Sequence, residues 1–436
     1  MVPHLITALT GPINELEARV LESMPAIERW FRLEWMEHTP PFYTSVDLRN
    51  AGYKLAPVDT ELFPAGFNNL TPQMLPLAVQ AAMAAIEKIC PEAKNLLLVP
   101  GPQVLEANPF YLTHLQRLVE VLTLAGLNVR LGTLARGVDR PRTLATPDGS
   151  ELTVEPLVRS ARRLGLPDFD PCTILLNDDL EAGVPGMLED LHEQYLLPPV
   201  HASSKLRRKS RHFQSYEEVA KRFAKLLGMD PWLLHTMHGQ CGEVDFTSEA
   251  GVDCVKSHVD TLLAKVRRKH KEYGISDRAF VVVKSDGPGG SEVLTVRDAK
   301  DLDDPERRAR LARSMPARSA TQGTRHDVIV QEGVPTYERI NDAVAEPVVY
   351  MIDRYVIGGF YRVHAKRGID ESLDAPGSQF VPLAFAESHQ LPRRGAKPGA
   401  SAPNRFYMYG VIGRLAMLGA AYELEATDPA TELEEA

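Results

Sequence analysis

The chain has 436 residues, 44% hydrophobic and 25% charged, an ordinary globular composition with length enough for two or three cored units. Its formal net charge of −9 argues against a general nucleic-acid binder, while leaving room for a local basic groove. No apolar run approaches the ~18 residues of a membrane span, so no membrane partner is expected.

The start, MVPHLITALTGPINELEARV, carries acids early and lacks the basic and apolar segments of a secretory leader. The four cysteines, Cys90, Cys172, Cys241 and Cys254, include no C-x-x-C pair. Together these features lead us to expect a cytoplasmic protein with reduced thiols.

Residues 12–37 read as one amphipathic helix rich in Glu and Arg. The stretch 43–70, YTSVDLRNAGYKLAPVDTELFPAGFNNL, reads as neither helix nor strand for long. It sets Asp47, Arg49, Asn50, Lys54, Asp59, Asn68 and Asn69 among prolines, glycines and aromatics. Linkers seldom mix in so many large apolar residues, which favours a ligand-facing segment.

A strand–helix–strand pattern follows. NLLLVPG (95–101) is a short apolar strand. Asn108 is placed to N-cap a helix that opens on Pro109 and runs to Ala125, where Gly126 stops it. NVRLGTL resumes as strand, and CTILLNDDL (172–180) is a further buried strand ending in Asn177, Asp178 and Asp179. Such alternation predicts a parallel α/β sheet with ligands at the carboxyl ends of its strands.

Residues 186–272 read as mainly helical, with one helix from about Asp253 to Tyr273 stopped by Gly274. Within them the basic run Lys205, Arg207, Arg208, Lys209 and Arg211 reads first as a solvated helix face. An anion-binding edge comes second, and nucleic acid third, because few stacking aromatics flank it. His235, His238, Cys241, Cys254 and His258 match no closed zinc spacing, although Cys254 and His258 would share a helix face. Packing or substrate contact is the preferred reading there.

The pattern then turns to strands. AFVVVKSDGPGG (279–290) is an apolar strand that ends in Lys284 and breaks into Gly287, Pro288, Gly289 and Gly290. Glycines let backbone N–H groups approach a ligand, and a neighbouring lysine suits phosphate; a plain hairpin turn is the alternative. HDVIVQEG ends a second strand in Gln331, Glu332 and Gly333, followed by Val334, groups able to meet the edge of adenine. EPVVYMIDRYVIGGFYRVH reads as a hairpin that brings Arg362 and His364 beside that site. A last helix covers RFYMYGVIGRLAMLGAAYELEA. The segments 298–320 and 390–404 read as mobile, and 426–436 as a frayed acidic tail. The P-loop, H-E-x-x-H and G-x-S-x-G patterns are missing.

The order of a lysine-ended strand, a glycine loop, a Q-E-x-V strand end and a late arginine resembles the ATP-grasp fold. With VDLRNAGYKLAPVDTELFPAGFNNL and FVPLAF added, the chain resembles the proteobacterial ATP-grasp-type glutamate–cysteine ligase family from about residue 10 to about 425. The resemblance implies an α/β (α+β) chain of ATP-grasp architecture. A Rossmann-like, pre-ATP-grasp substrate domain would span 1–190, a mainly helical middle segment or first lobe 191–275, and the nucleotide-binding domain 276–425, before the tail 426–436.

It also implies a reaction. ATP would phosphorylate the γ-carboxylate of L-glutamate and the amine of L-cysteine would displace the phosphate, the first step of glutathione biosynthesis. Lys256, Lys284, Gly287, Gly289, Gly290, Gln331, Glu332, Gly333 and Val334 would hold the nucleotide, with Lys284 and Arg362 acting on the transferring group. Arg49, Asn50, Lys54, Asn68, Asn69 and His364 would meet the amino acids. No late Glu-x-Asn is present, which leaves Asp353, Glu346, Glu371 and Asp374 as candidates for Mg2+ (or Mn2+). A glutathione synthetase-like ligase and a non-catalytic nucleotide- or RNA-binding protein are the alternatives. No nucleic-acid partner is expected for the ligase.

Overall fold

The strands collect in four sheets, of seven, six, four and two strands, with eight helices among the described residues. The structure, a computed structural model, describes residues 5–6, 12–191, 193–287, 293–315, 325–382 and 402–429.

The seven-stranded sheet is antiparallel and discontinuous in sequence. Its middle is β17 (Ala343–Ile352), paired along one edge with β18 (Tyr355–His364), which carries β19 (Gln379–Pro382). The other edge of β17 is shared by β16 (Glu338–Ile340), followed by β1 (Leu5–Ile6), and by β2 (Tyr43–Asn50), which pairs with β3 (Leu55–Glu61). The 43–70 stretch is therefore a β-hairpin and a short 3-10 turn, Phe67–Asn69, rather than irregular chain. Two helices precede it instead of one: α1 (Pro12–Glu22) and α2 (Met24–Glu37). Pro25 belongs in a first helical turn, so the chain restarts at Ser23.

The six-stranded sheet is the expected parallel one. In it β4 (Asn95–Pro100), β5 (Asn128–Thr133), β7 (Glu151–Pro156), β10 (Thr173–Asn177) and β11 (Tyr195–Leu197) run parallel, and β6 (Arg142–Ala145) is an antiparallel edge. The helix α3 (Leu75–Ile89) leads into β4. The helix α4 (Pro109–Leu124) is capped as its sequence predicts, the Asn108 side chain accepting from the amides of Phe110 and Tyr111. The two-stranded sheet is the small hairpin of β8 (Val158–Ser160) and β9 (Arg163–Gly165).

The four-stranded sheet forms a lobe with its own core. Its order is β12 (His238–Val244), β15 (His326–Glu332), β13 (Val281–Ser285) and β14 (Leu294–Val296), and α6 (Asp253–Glu272) covers one face with Val255, Val259, Leu262, Leu263 and Val266. The strand β12 interrupts the segment expected to be mainly helical. Its sequence, HGQCGEV, has little apolar signal, and antiparallel pairing with β15 supplies the order that composition does not. In the Arg-rich 298–320 segment Asp304 caps α7 (Pro305–Ser314). Residues 316–324, 383–401 and the end of the acidic tail lie outside the described residues.

The helix α5 (Lys209–Leu227) packs along α8 (Ala402–Ala426), which runs through the main core beneath β17. Among the described residues no helix is long and apolar enough to cross a membrane. The expectation of free thiols is corrected: Cys90 is bonded to Cys172, and Cys241 to Cys254. Topology creates both pairs. The first joins the end of α3 to the start of β10, and the second joins β12 to α6, so neither needed a short spacing.

Candidate active site

A cavity of about 330 Å³ opens between the β2–β3 hairpin, the strand ends of the four-stranded lobe and the 365–378 loop after β18. Alternation along β2 explains one wall. Val46 and Leu48 enter the core, while Asp47 and Arg49 project from the opposite face into the cavity. Asp59 and Glu61 do the same from β3.

Two charge clusters line this space. In the first, Arg362 Nη1 meets Asp47 Oδ2 at 2.5 Å and Glu346 Oε1 at 2.8 Å. Arg49 Nε donates to the other Glu346 oxygen at 3.0 Å. Burial pushes the Asp47 carboxyl up to about 6; Arg362 opposes this and Glu346 adds to it. The Nε of Arg362 is buried without a hydrogen-bond partner.

The second cluster centres on Lys284, at the end of β13. Its Nζ donates to the Val58 carbonyl in β3 at 2.8 Å. Burial pushes its pKa down to about 8, with Asp59 acting in the other direction and Lys209 assisting. Lys209 holds Asp59 with contacts of 2.7 and 2.8 Å. Burial works against ionisation of Asp59, but Lys209 and Lys284 overcome it and keep the carboxyl well below its usual range. The glycine loop leaves β13 against the start of α5. Asp286 accepts from the Ser210 amide at 2.6 Å and from its hydroxyl at 2.7 Å, which fixes the first turn of that helix beside Gly287.

The cavity brings together Arg49, Lys284, Gly287, Gln331, Glu332, Gly333, Val334, Glu346, Arg362 and Asp374 of the residues expected from sequence. It also gathers Asp47, Asp59, Asp179, Arg207 and Lys209, which the sequence places in ligand-facing or anion-binding segments without a role, and Glu61, which it does not single out. The missed signal was the two-residue alternation of charge in VDLRN and VDTE. The basic run is solvated only in part: Lys205 and Arg211 are exposed, while Arg207 and Lys209 turn inward. Arg207 pairs with buried Glu423 of α8 at 2.9 Å and donates to the Thr60 carbonyl at 2.7 Å.

Several expected residues stand elsewhere. Lys256 is on the far face of α6, paired with Asp303 at 2.5 Å. Lys54 is wholly buried and holds Glu332 at 2.6 Å over the Trp232 ring. The Glu332 carboxylate also accepts from the Trp232 indole N–H at 2.9 Å and the Met237 amide at 3.0 Å, so it is occupied inside the protein. Asn50 donates to Glu338, and Asn68 and Asn69 lie in the Phe67–Asn69 turn away from the cavity. Asp353 is held by Lys88 at 2.9 Å in the β17–β18 turn. His364 donates to the Pro376 carbonyl at 3.2 Å, and Glu371 gives its carbonyl to Arg49 at 2.6 Å while its carboxylate turns to Arg367. Gly333 leaves space for a neighbour: a Cβ there would stand 2.1 Å from the Phe280 ring. Gly289 and Gly290 lie outside the described residues.

Ten acidic and five basic residues line the cavity. A polyphosphate can enter so acidic a space only with divalent cations, and at Asp47 burial already disfavours ionisation. The donor set thus fits a hard, oxygen-liganded cation.

Such a cleft, with a lysine and an arginine converging on an acidic lining, has the charged groups that an ATP-dependent carboxylate–amine ligase needs. The sequence pattern of the family GshA, glutamate–cysteine ligase, matches residues 17–424. The chain belongs to that family, whose members are ATP-dependent ligases acting in glutathione biosynthesis. It is also similar to a crystal structure, at 1.90 Å resolution, of a protein from Methylobacillus flagellatus KT provisionally named a gamma-glutamylcysteine synthetase. That likeness has a TM-score of 0.89 and 48% sequence identity, over 98% of this chain and 100% of the other. No curated protein matches.

Proposed function

We propose that this cavity is where L-glutamate and L-cysteine are joined, and that the four-stranded lobe and the seven-stranded sheet are the two halves of an ATP-grasp clamp. The parallel six-stranded sheet would be the Rossmann-like domain in front of it. The observation that carries the reading is the convergence of Lys284 from one sheet and Arg362 from the other on one acid-rich cavity. Thr295 and Arg297 beside β14 also reach across to Asp370 of the 365–378 loop, so the two halves touch at the rim.

Bound ATP would supply the phosphoryl group that activates the γ-carboxylate of glutamate, leaving ADP, and the amine of cysteine would displace that group as inorganic phosphate. Asp47, Glu346 and Asp374 would hold the Mg2+ or Mn2+ that neutralises phosphate oxygens. For its part the protein positions the reactants and aims fixed charge at them. Lys284 donates to one carbonyl and stands 5.5 Å from the centre of the Phe213 ring, so its ammonium retains donors for phosphate oxygens. Arg362 keeps its Nε available while Nη1 anchors it. All three nitrogens of Arg49 are engaged, with Glu346, the Val334 carbonyl at 3.1 Å and the Glu371 carbonyl. It therefore acts as a brace for the cavity wall and not as a free carboxylate clamp. Gln331 contributes an amide whose oxygen is buried without a partner, a group able to meet the base. The backbone around Glu332 to Val334 is left for the adenine edge, since the Glu332 carboxylate is occupied.

ADP release screened over pairs of amino acids, with mass spectrometry of the products, tests the proposal. Glutamate plus cysteine should give γ-glutamylcysteine, only when a divalent cation is present. Turnover with γ-glutamylcysteine plus glycine, and none with glutamate plus cysteine, would transfer the chain to the glutathione synthetase-like class.

A further inference from the structure

The four-stranded lobe carries a second constellation that the ligase reaction does not use. Cys254 and His258 are one helical turn apart on α6, and both face β12, where Cys241 stands. The two sulfurs and an imidazole nitrogen of His258 lie within 4.8 Å of one another. Among the described residues this is the one group of histidine, cysteine or carboxylate ligands so closely gathered; nothing comparable surrounds Cys90 and Cys172. The imidazole is seated by β12 itself. A Cβ at Gly239 would stand 2.3 Å from His258 Nδ1, so the strand provides a gap in which the ring rests. Cys241 is buried and Cys254 exposed, which gives the cluster an anchored side and an open side.

The geometry points to a site with two alternative states: the Cys241–Cys254 disulfide when oxidised, and a Cys2His site for a borderline-soft divalent cation such as Zn2+ when reduced. Two thiolates and an imidazole are the donors that such an ion prefers over Mg2+ or Ca2+, and three protein ligands leave a position for water. Passing from one state to the other needs two electrons and two protons. A dithiol, or two molecules of a monothiol, supplies them and leaves as its own disulfide. Each thiol then gives up its proton as it binds the cation. Either state fastens α6 to β12, whose neighbour β15 presents Gln331 directly opposite His238. The site thereby supports the wall of the nucleotide cavity without entering it.

The test uses the full chain, reduced with a phosphine and titrated with Co2+ as a spectroscopic stand-in for Zn2+. We expect one equivalent of Co2+ to bind with thiolate charge-transfer absorption and to be displaced by Zn2+. The oxidised protein should take up none. Cys254→Ser and His258→Ala should lose stoichiometric binding, and Cys90→Ser should keep it, with circular dichroism unchanged throughout. Three results overturn the assignment: no stoichiometric uptake by the reduced protein, uptake that Cys254→Ser or His258→Ala leaves unchanged, or a Cys241–Cys254 bond that resists reductant in the folded chain.

Discussion

Two buried lysines meet the β2–β3 hairpin, and their surroundings differ in kind. Lys54, at the turn before β3, faces the Glu332 carboxylate at 2.6 Å and the Trp232 ring, with no exposed surface. Lys284, from β13, reaches the same strand at the Val58 carbonyl, stands over the Phe213 ring, has no carboxylate bonded to it among the described residues and lines the cavity. Burial lowers both ammonium groups to about 8, so the titration alone does not separate them. Partners do. A cation already neutralised by a buried carboxylate is part of the scaffold, whereas one held by a carbonyl and a ring face has charge left for a ligand.

The largest effect should come from the scaffold lysine. Lys54→Ala removes one half of a buried ion pair and leaves Glu332 with an uncompensated charge, which typically costs ~3–5 kcal/mol of stability. Urea unfolding followed by tryptophan fluorescence reads this directly, since Trp232 shares the pair. A loss below about 1 kcal/mol would mean that Lys54 and Glu332 are not paired in solution.

Lys284→Ala should do the converse, leaving the unfolding midpoint little changed and slowing turnover. Loss of one aimed donor to a transferring group typically costs ~2.7–4 kcal/mol, or about 10²–10³ in kcat. A folded variant with near wild-type kcat would remove Lys284 from the chemistry.

Titration sharpens the contrast further. Below pH about 8 both lysines are protonated in the folded chain, and the cost of burying their charge is then fully present. Between about 8 and the ordinary lysine range the unfolded chain binds more protons than the folded one, so stability from these two groups rises with pH. Nucleotide affinity should move the other way, falling by up to ~10-fold per pH unit above about 8 as Lys284 loses its charge. Lys284→Arg, which stays charged, should flatten that fall, and Lys54→Met should not.

The smallest effect belongs to Lys256. Its partner Asp303 is largely exposed, and such pairs contribute ~0–1 kcal/mol. Lys256→Ala should therefore cost at most that much stability and leave kcat unchanged.

Strand ends were readable in the sequence because apolar runs stop abruptly there. Lys284, Gln331 to Val334 and Arg362 all stand where VVVK, VIVQEGV and the YVIGGFYRVH hairpin placed them. The β2–β3 hairpin was hidden by its own function. Alternation in VDLRN is correct for a half-buried strand, but its polar face is directed at a cavity, and Gly52, Pro57 and the irregular register after Asp47 break the pattern. Partners were the least legible. Lys54 is 278 residues from Glu332, and only the folded topology distinguishes it from Lys256 or Lys284. The parallel sheet shows the same limit: Asn177 does end a strand, yet its amide is taken up by Tyr43 and Pro64 and by His114, while Asp179 two residues on reaches the cavity.

On the proposed function, the nucleotide lies against Lys284, between the two sheets, and not against α6. This placement is tested most directly by equilibrium affinity for Mg-ATP, measured without amino acids, in Lys284→Ala and Lys256→Ala. We expect a ~10–100-fold weakening for the first and no change for the second, since a charge-assisted hydrogen bond contributes ~1.5–3 kcal/mol. Unchanged affinity in Lys284→Ala together with weakened binding in Lys256→Ala would contradict it.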